Sequence, residues 1–117
     1  LGLVEMIREI RPWGSYVIIS SGEGFQVKII DINPNQRLSL QKHQHRAEKW
    51  YILEGNPIIT IRGRTFPISP GSAVNIPQGS IHRIGAGDEP VRFLEVQTGT
   101  YFGEDDIERF DDDYDRM

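Results

Sequence analysis

Breaks centred on glycine and proline recur along this sequence so often that little room is left between them for a helix. The intervening stretches are short and rich in β-branched and aromatic residues, which is the pattern of an all-β sandwich or barrel. Tyr16 to Ser20 is an apolar run and Ser21 to Gly24 a turn. Phe25, Val27 and Ile29 then alternate with Gln26, Lys28 and Ile30 until Asn33-Pro34-Asn35 ends the segment, so the two runs read as paired strands. Further strands are predicted over Leu38 to Gln44, Lys49 to Leu53, Ile58 to Arg62, Thr65 to Ile68, Ala73 to Ile76, His82 to Ile84 and Arg92 to Gln97. Turn residues such as Ser69-Pro70-Gly71 and Pro77-Gln78-Gly79 separate them. Roughly nine strands without a helical layer put the core between two sheets, with Trp13 and Trp50 expected inside it. The end of the chain, where Ile107 and Phe110 are spaced three apart, fits either a short helix or a docked strand.

The length of 117 residues suits a single domain spanning 1–117, and its 38% apolar and 26% charged residues are ordinary for a globular chain. No stretch approaches the length of a membrane span. With no cysteine, disulfides and thiolate metal sites are excluded, and any metal must sit on His, carboxylate or amide ligands. The net charge of −4 is unevenly spread: Gly103 to Met117 holds eight acidic and two basic residues, so the rest of the chain is mildly basic. A pI near 5.3 argues against a nucleic-acid partner, and the acidic end reads as a solvated tail. The opening Leu1-Gly2 is followed by neither a basic n-region nor a long apolar h-region, so a cytoplasmic location is expected.

The three histidines fall at two places, His43 and His45 together and His82 just after Pro77-Gln78-Gly79. On a regular strand Gln41, His43 and His45 would share a face, and three adjacent polar groups turned into a core need partners. A metal ion satisfies several at once, and Glu48 could add a carboxylate. Two histidines on a strand are by themselves more often surface or hydrogen-bonded residues than metal ligands; the surrounding spacing changes that balance. Glu48 is followed after six residues by Gly55, and Gly71 after five by Pro77-Gln78-Gly79, two residues and His82. These stretches resemble the two signature motifs of the cupin superfamily, G(x)5HxH(x)3-4E(x)6G and G(x)5PxG(x)2H. Against them, Gln41 and His43 on the HxH positions leave the right interval before Glu48, whereas His43 and His45 leave too few residues. The resemblance therefore implies Gln41, His43, Glu48 and His82 as metal ligands, with His45 contacting substrate or replacing Gln41.

Further stretches narrow the likeness: Arg11-Pro12-Trp13-Gly14, Leu38-Ser39-Leu40-Gln41, His45-Arg46-Ala47-Glu48, Ile76-Pro77 and His82-Arg83, Glu95-Val96-Gln97, and Gly103 to Ile107. They resemble the C-terminal domain of type II phosphomannose isomerases, which in many members follows a mannose-1-phosphate guanylyltransferase. The resemblance implies a cupin fold, a jelly-roll-like double-stranded β-helix forming a barrel of two antiparallel sheets. It also implies one divalent ion, with zinc expected and Mn, Co, Ni or Fe fitting nearly as well. Lys49 stands where the family commonly has His, and Ala86 where the general cupin pattern ends in Asn.

Interconversion of mannose 6-phosphate and fructose 6-phosphate moves a proton between C1 and C2 through an enediol, so the site needs an oxyanion stabiliser and a base. His45, Lys49 and Glu95 are the candidates for the base. Phosphate needs cations, and Arg46 and Arg83, each beside a histidine, lead Arg37, Lys42 and Lys49. Two rivals share the fold: a non-catalytic cupin module binding a sugar phosphate or nucleotide sugar, and an Fe(II) dioxygenase. A homodimer is expected because a small barrel has open strand edges to cover.

Overall fold

The computed structural model describes residues 7–117, so the Leu1-Gly2 opening lies outside the described residues. Eleven strands run in chain order: β1 (Arg8–Arg11), β2 (Gly14–Gly22), β3 (Phe25–Ile32), β4 (Leu40–Lys42), β5 (Arg46–Glu54), β6 (Ile58–Ile61), β7 (Arg64–Pro67), β8 (Ala73–Ile76), β9 (His82–Gly85), β10 (Val91–Gly99) and β11 (Glu108–Asp111). They form a six-stranded sheet, β1-β2-β3-β10-β5-β8, facing a five-stranded one, β11-β4-β9-β6-β7, and every pairing is antiparallel. Among the described residues no helix is long and apolar enough to cross a membrane.

Period-two alternation sets which side chains enter the barrel. On β10, Val91, Phe93, Glu95 and Gln97 are buried, and on β5 Arg46, Glu48, Trp50 and Ile52 are. The register seats Phe93 between Ile30 and Ile52, Glu95 between Lys28 and Trp50, and Gln97 between Gln26 and Glu48. The interior therefore grades along the strands from apolar to polar. Ile30, Ile32, Ile52, Val91 and Phe93, joined by Ile59 and Ile84 from the facing sheet, fill the dry end. Trp50 stands at the boundary, its ring centroid 5.4 Å from that of Phe93.

Turn chemistry secures the ends of these strands. Gly55 closes β5 at φ +84°, and a Cβ there would lie 2.3 Å from the Pro90 carbonyl oxygen, so the close approach of two chain segments requires glycine. Gly79, at φ +80°, completes the Pro77-Gln78-Gly79 turn, and its N–H donates to the His43 carbonyl at 2.9 Å.

The acidic end departs from the expected solvated tail. It crosses the polar mouth of the barrel as a strap, β11 pairs with β4, and ion pairs tie it down: Arg11 to Glu104 at 2.6 Å, Lys42 to Glu108 at 3.4 Å, Arg83 to Asp111 at 2.8 Å and Arg37 to Asp113 at 2.7 Å. The excess basic charge of the body and the excess acidic charge of the end are complementary surfaces. The choice left open by Ile107 and Phe110 falls on a strand, because β4 would otherwise be an unpaired edge.

Candidate metal centre

His43, Glu48 and His82 reach the polar end of the interior from three places: the segment after β4, the first part of β5 and the start of β9. All three are buried, and one potential ligand atom from each lies within 4.8 Å of the others. Gln41 is buried directly opposite His82 across β4 and β9 and lines the same cavity.

Both imidazoles are oriented by their outer nitrogens. Nδ1 of His43 lies 2.8 Å from the Asp106 carbonyl oxygen, and Nδ1 of His82 lies 2.9 Å from the Ser80 carbonyl oxygen. A carbonyl only accepts, so each Nδ1 carries a proton and donates it, which leaves each Nε2 turned inward. Nε2 of His43 is 3.2 Å from Oε2 of Glu48, and Nε2 of His82 is 3.7 Å from Oε1. Neutral imidazoles would aim lone pairs at carboxylate oxygens. A proton or a metal ion between them resolves the conflict, and two imidazoles with a carboxylate and an amide nearby are the donor set a divalent cation takes. The His43, Glu48 and His82 cluster can thus hold a metal ion.

Charges around Glu48 are dense. Nε of Arg46 donates to Oε2 of Glu48 at 3.1 Å, and the Trp50 indole N–H reaches both Glu48 at 3.2 Å and Glu95 at 3.1 Å. Burial pushes the Glu48 carboxyl up, but hydrogen bonding from His43 and Glu95 and the charges of His82 and His43 hold it well below the ordinary range. Glu95 goes the other way: burial, then the charge of Glu48 and the hydrogen bond between the two carboxyls, raise it to about 8, partly offset by Lys28 and Arg46. Burial also lowers Lys28, against the pull of Glu95, and lowers His82 towards the neutral form.

The remaining sequence candidates divide. Glu95 and Arg46 are buried in the cavity wall. His45 and Lys49 are exposed. Strand β4 stops at Lys42, and the Asp106 carboxylate accepts the backbone N–H groups of Gln44 at 3.0 Å and His45 at 2.9 Å, so the chain bends and His45 turns outward beside Tyr101. Lys49 follows the outward phase of β5. Arg83 spans from the Leu38 carbonyl to Asp111, and Arg37 grips Asp113 through two hydrogen bonds, both away from the cluster. Cavity residues that the sequence did not announce are Lys28 and Tyr16 and, from the strap, Glu104, Arg109 and Arg116. Nζ of Lys28 lies 4.2 Å from the centre of the Tyr16 ring, whose hydroxyl donates to Glu104. A lysine at an inward phase of an alternating strand was the available signal.

The family described as Mannose-6-phosphate isomerase C-terminal matches residues 4–112. This chain belongs to that family. It is 47% identical over 107 residues to the alginate biosynthesis protein AlgA of Pseudomonas aeruginosa, covering 91% of this chain and 22% of AlgA. It is 41% identical over 114 residues to the mannose-1-phosphate guanylyltransferase ManC of Salmonella typhimurium, covering 96% of this chain and 24% of ManC. The chain therefore spans about a quarter or less of these relatives. Among solved structures, oxalate decarboxylase from Bacillus subtilis superposes with a TM-score of 0.78 at 22% identity, covering 91% of this chain and 30% of that one. The Schizosaccharomyces pombe Cnp3 cupin domain superposes at 0.70 and 18% identity, covering 73% and 60%. At those identities the likeness is one of fold, and the fold is a cupin.

Proposed function

We propose that this chain is a metal-dependent aldose–ketose isomerase unit interconverting mannose 6-phosphate and fructose 6-phosphate. One observation carries the reading: the cavity that holds the His43, Glu48 and His82 donors also buries a second carboxyl, Glu95, and a single indole N–H, that of Trp50, reaches both Glu48 and Glu95. Family membership supplies the substrate class.

Gln41, His43, Glu48 and His82 would hold the ion, with zinc the expected metal. When bound, such an ion polarises the sugar carbonyl and stabilises the enediolate oxygen. Glu95 is the member of the base candidates that faces the cavity; in its ionised form the carboxylate would take the proton from one carbon, and the carboxylic acid so formed would return it to the other. Gln97 donates to Oε2 of Glu95 at 2.9 Å and Trp50 donates to Oε1, so the carboxyl is held in one orientation. Lys28, opposite Glu95 in the β3–β10 register, balances charge as the proton moves. The guanylyl transfer for which ManC is named is not proposed for this chain, which covers 24% of that protein.

The test is a coupled assay of fructose 6-phosphate formation from mannose 6-phosphate, with and without a chelator. Turnover that the chelator abolishes and zinc restores is expected. Metal-loaded, folded protein that binds the sugar phosphate without converting it would leave a binding module in place of an enzyme, and oxygen consumption would point to the dioxygenase.

A further inference from the structure

Strand β11 sends one residue towards the barrel interior. Its burial runs exposed, half-buried, exposed, exposed, and the inward position is Arg109. Arg109 pairs with Gln41 across β11 and β4, and Gln41 pairs with His82 across β4 and β9. Three strands thus line up a guanidinium, an amide and an imidazole along one cavity wall, with about 10 Å of sheet between the first and the last.

The arginines in and near this cavity are not equivalent, and Lys28, the other cation lining it, lies over the Tyr16 ring. Arg46 is engaged by Glu48, Arg11 by Glu104, and Arg116 by two hydrogen bonds to Asp112. Arg37 and Arg83 are held by Asp113 and Asp111. Arg109 is different: its Nε is fully buried and has no hydrogen-bond partner among the described residues. A buried N–H on a charged group without an acceptor is costly to keep. Burial and then the neighbouring charge of Arg116 also weaken the hold of Arg109 on its proton, so an arriving anion would relieve both.

We infer that Arg109 is the residue that grips the phosphate of the substrate. A guanidinium offers a planar fork matched to phosphate oxygens, and the strap sets this one on the same wall as His82, two strands away and beyond Gln41. The phosphate sits at the far end of the sugar from the reacting carbons, so the two ends of the site fit the two ends of the molecule. The identity of the sugar rests on the isomerase reading; the capture of a phosphate monoester does not.

The experiment is calorimetric titration of fructose 6-phosphate into zinc-loaded wild type, R109M and R109K, with inorganic phosphate as competitor and zinc affinity measured in parallel. Affinity for fructose 6-phosphate is expected to fall roughly 30-fold in R109M and less in R109K, with phosphate competition lost in R109M and zinc affinity unchanged. Should R109M fail to fold, R109K alone decides by the same readouts. Sugar-phosphate affinity within threefold of wild type, a parallel loss of zinc affinity, or a larger loss in Arg37→Gln would each overturn the inference. Binding that depends on Arg109 in a protein without isomerase turnover would uphold it while sinking the isomerase reading.

Discussion

The two ends of the barrel interior are built from the same strands and serve opposite purposes. At one end β3, β5 and β10 contribute Ile30, Ile32, Ile52, Val91 and Phe93, which pack against Ile59 and Ile84. Removing such side chains from water is the main source of folding free energy. At the other end the same strands contribute Lys28, Arg46, Glu48, Glu95 and Gln97. Burying that many ionisable groups is at best neutral for stability, and an apolar set of the same volume would do better. A sequence that keeps them is keeping a site. Trp50 joins the halves, with its ring against Phe93 and its N–H on Glu48 and Glu95.

That division is broken or sharpened first by a change at the dry end. Phe93 is fully buried, and Phe93→Ala should cost about 3–5 kcal/mol of unfolding free energy, measured by denaturant titration. Zinc affinity should shift by no more than a few-fold. A collapse of zinc binding to match the loss of stability would mean that the two ends are one cooperative unit.

The polar end should behave in reverse, gaining stability from its ligand. With zinc a hundredfold above its dissociation constant, the wild type should gain about 2.7 kcal/mol. His82→Ala should lose most of that increment in paired melts with and without zinc. If the variant gains as much as the wild type, the metal binds elsewhere and the candidate centre fails.

The dry end was the easier half to read from sequence, and the reason is physical. Alternation along Arg92 to Gln97 and the Gly-Pro breaks are local signals, and burial follows directly from them. Convergence of His43, Glu48 and His82 was legible only through motif spacing, because three strands far apart in the chain must meet. His45 was misplaced in the face-sharing reading because the bend at Gln44 is imposed by Asp106, sixty-one residues from His45. Strand β1 carries almost no apolar alternation, so nothing local marked Arg8–Arg11 as a strand. The strap was legible only as one of two alternatives for a similar reason: Phe110 is 39% exposed, and what holds β11 is charge complementarity with a distant surface.

The smallest effect expected is on that strap, and it follows from its carboxyls. Hydrogen bonds from Arg116 hold Asp112 down to about 2, against burial, and Glu104, Asp106 and Asp113 are also lowered by their partners. A carboxyl lowered in the folded state adds stability that is fully present above its ordinary value and disappears as pH falls through the folded one. For Asp112 the window therefore runs from about pH 4 down to about pH 2, and most of the dry end, which has no titrating group, does not share it. The Asp112 side chain is shielded and only Arg116 is partly exposed, so the contribution of this pair is on the order of 1–2 kcal/mol. Asp112→Asn should flatten that part of the stability–pH curve while leaving the neutral-pH effect of Phe93→Ala unchanged, as read from denaturation midpoints at successive pH values. An unaltered acid limb in the Asn variant would mean that the strap is held by its β4 pairing and not by its charges.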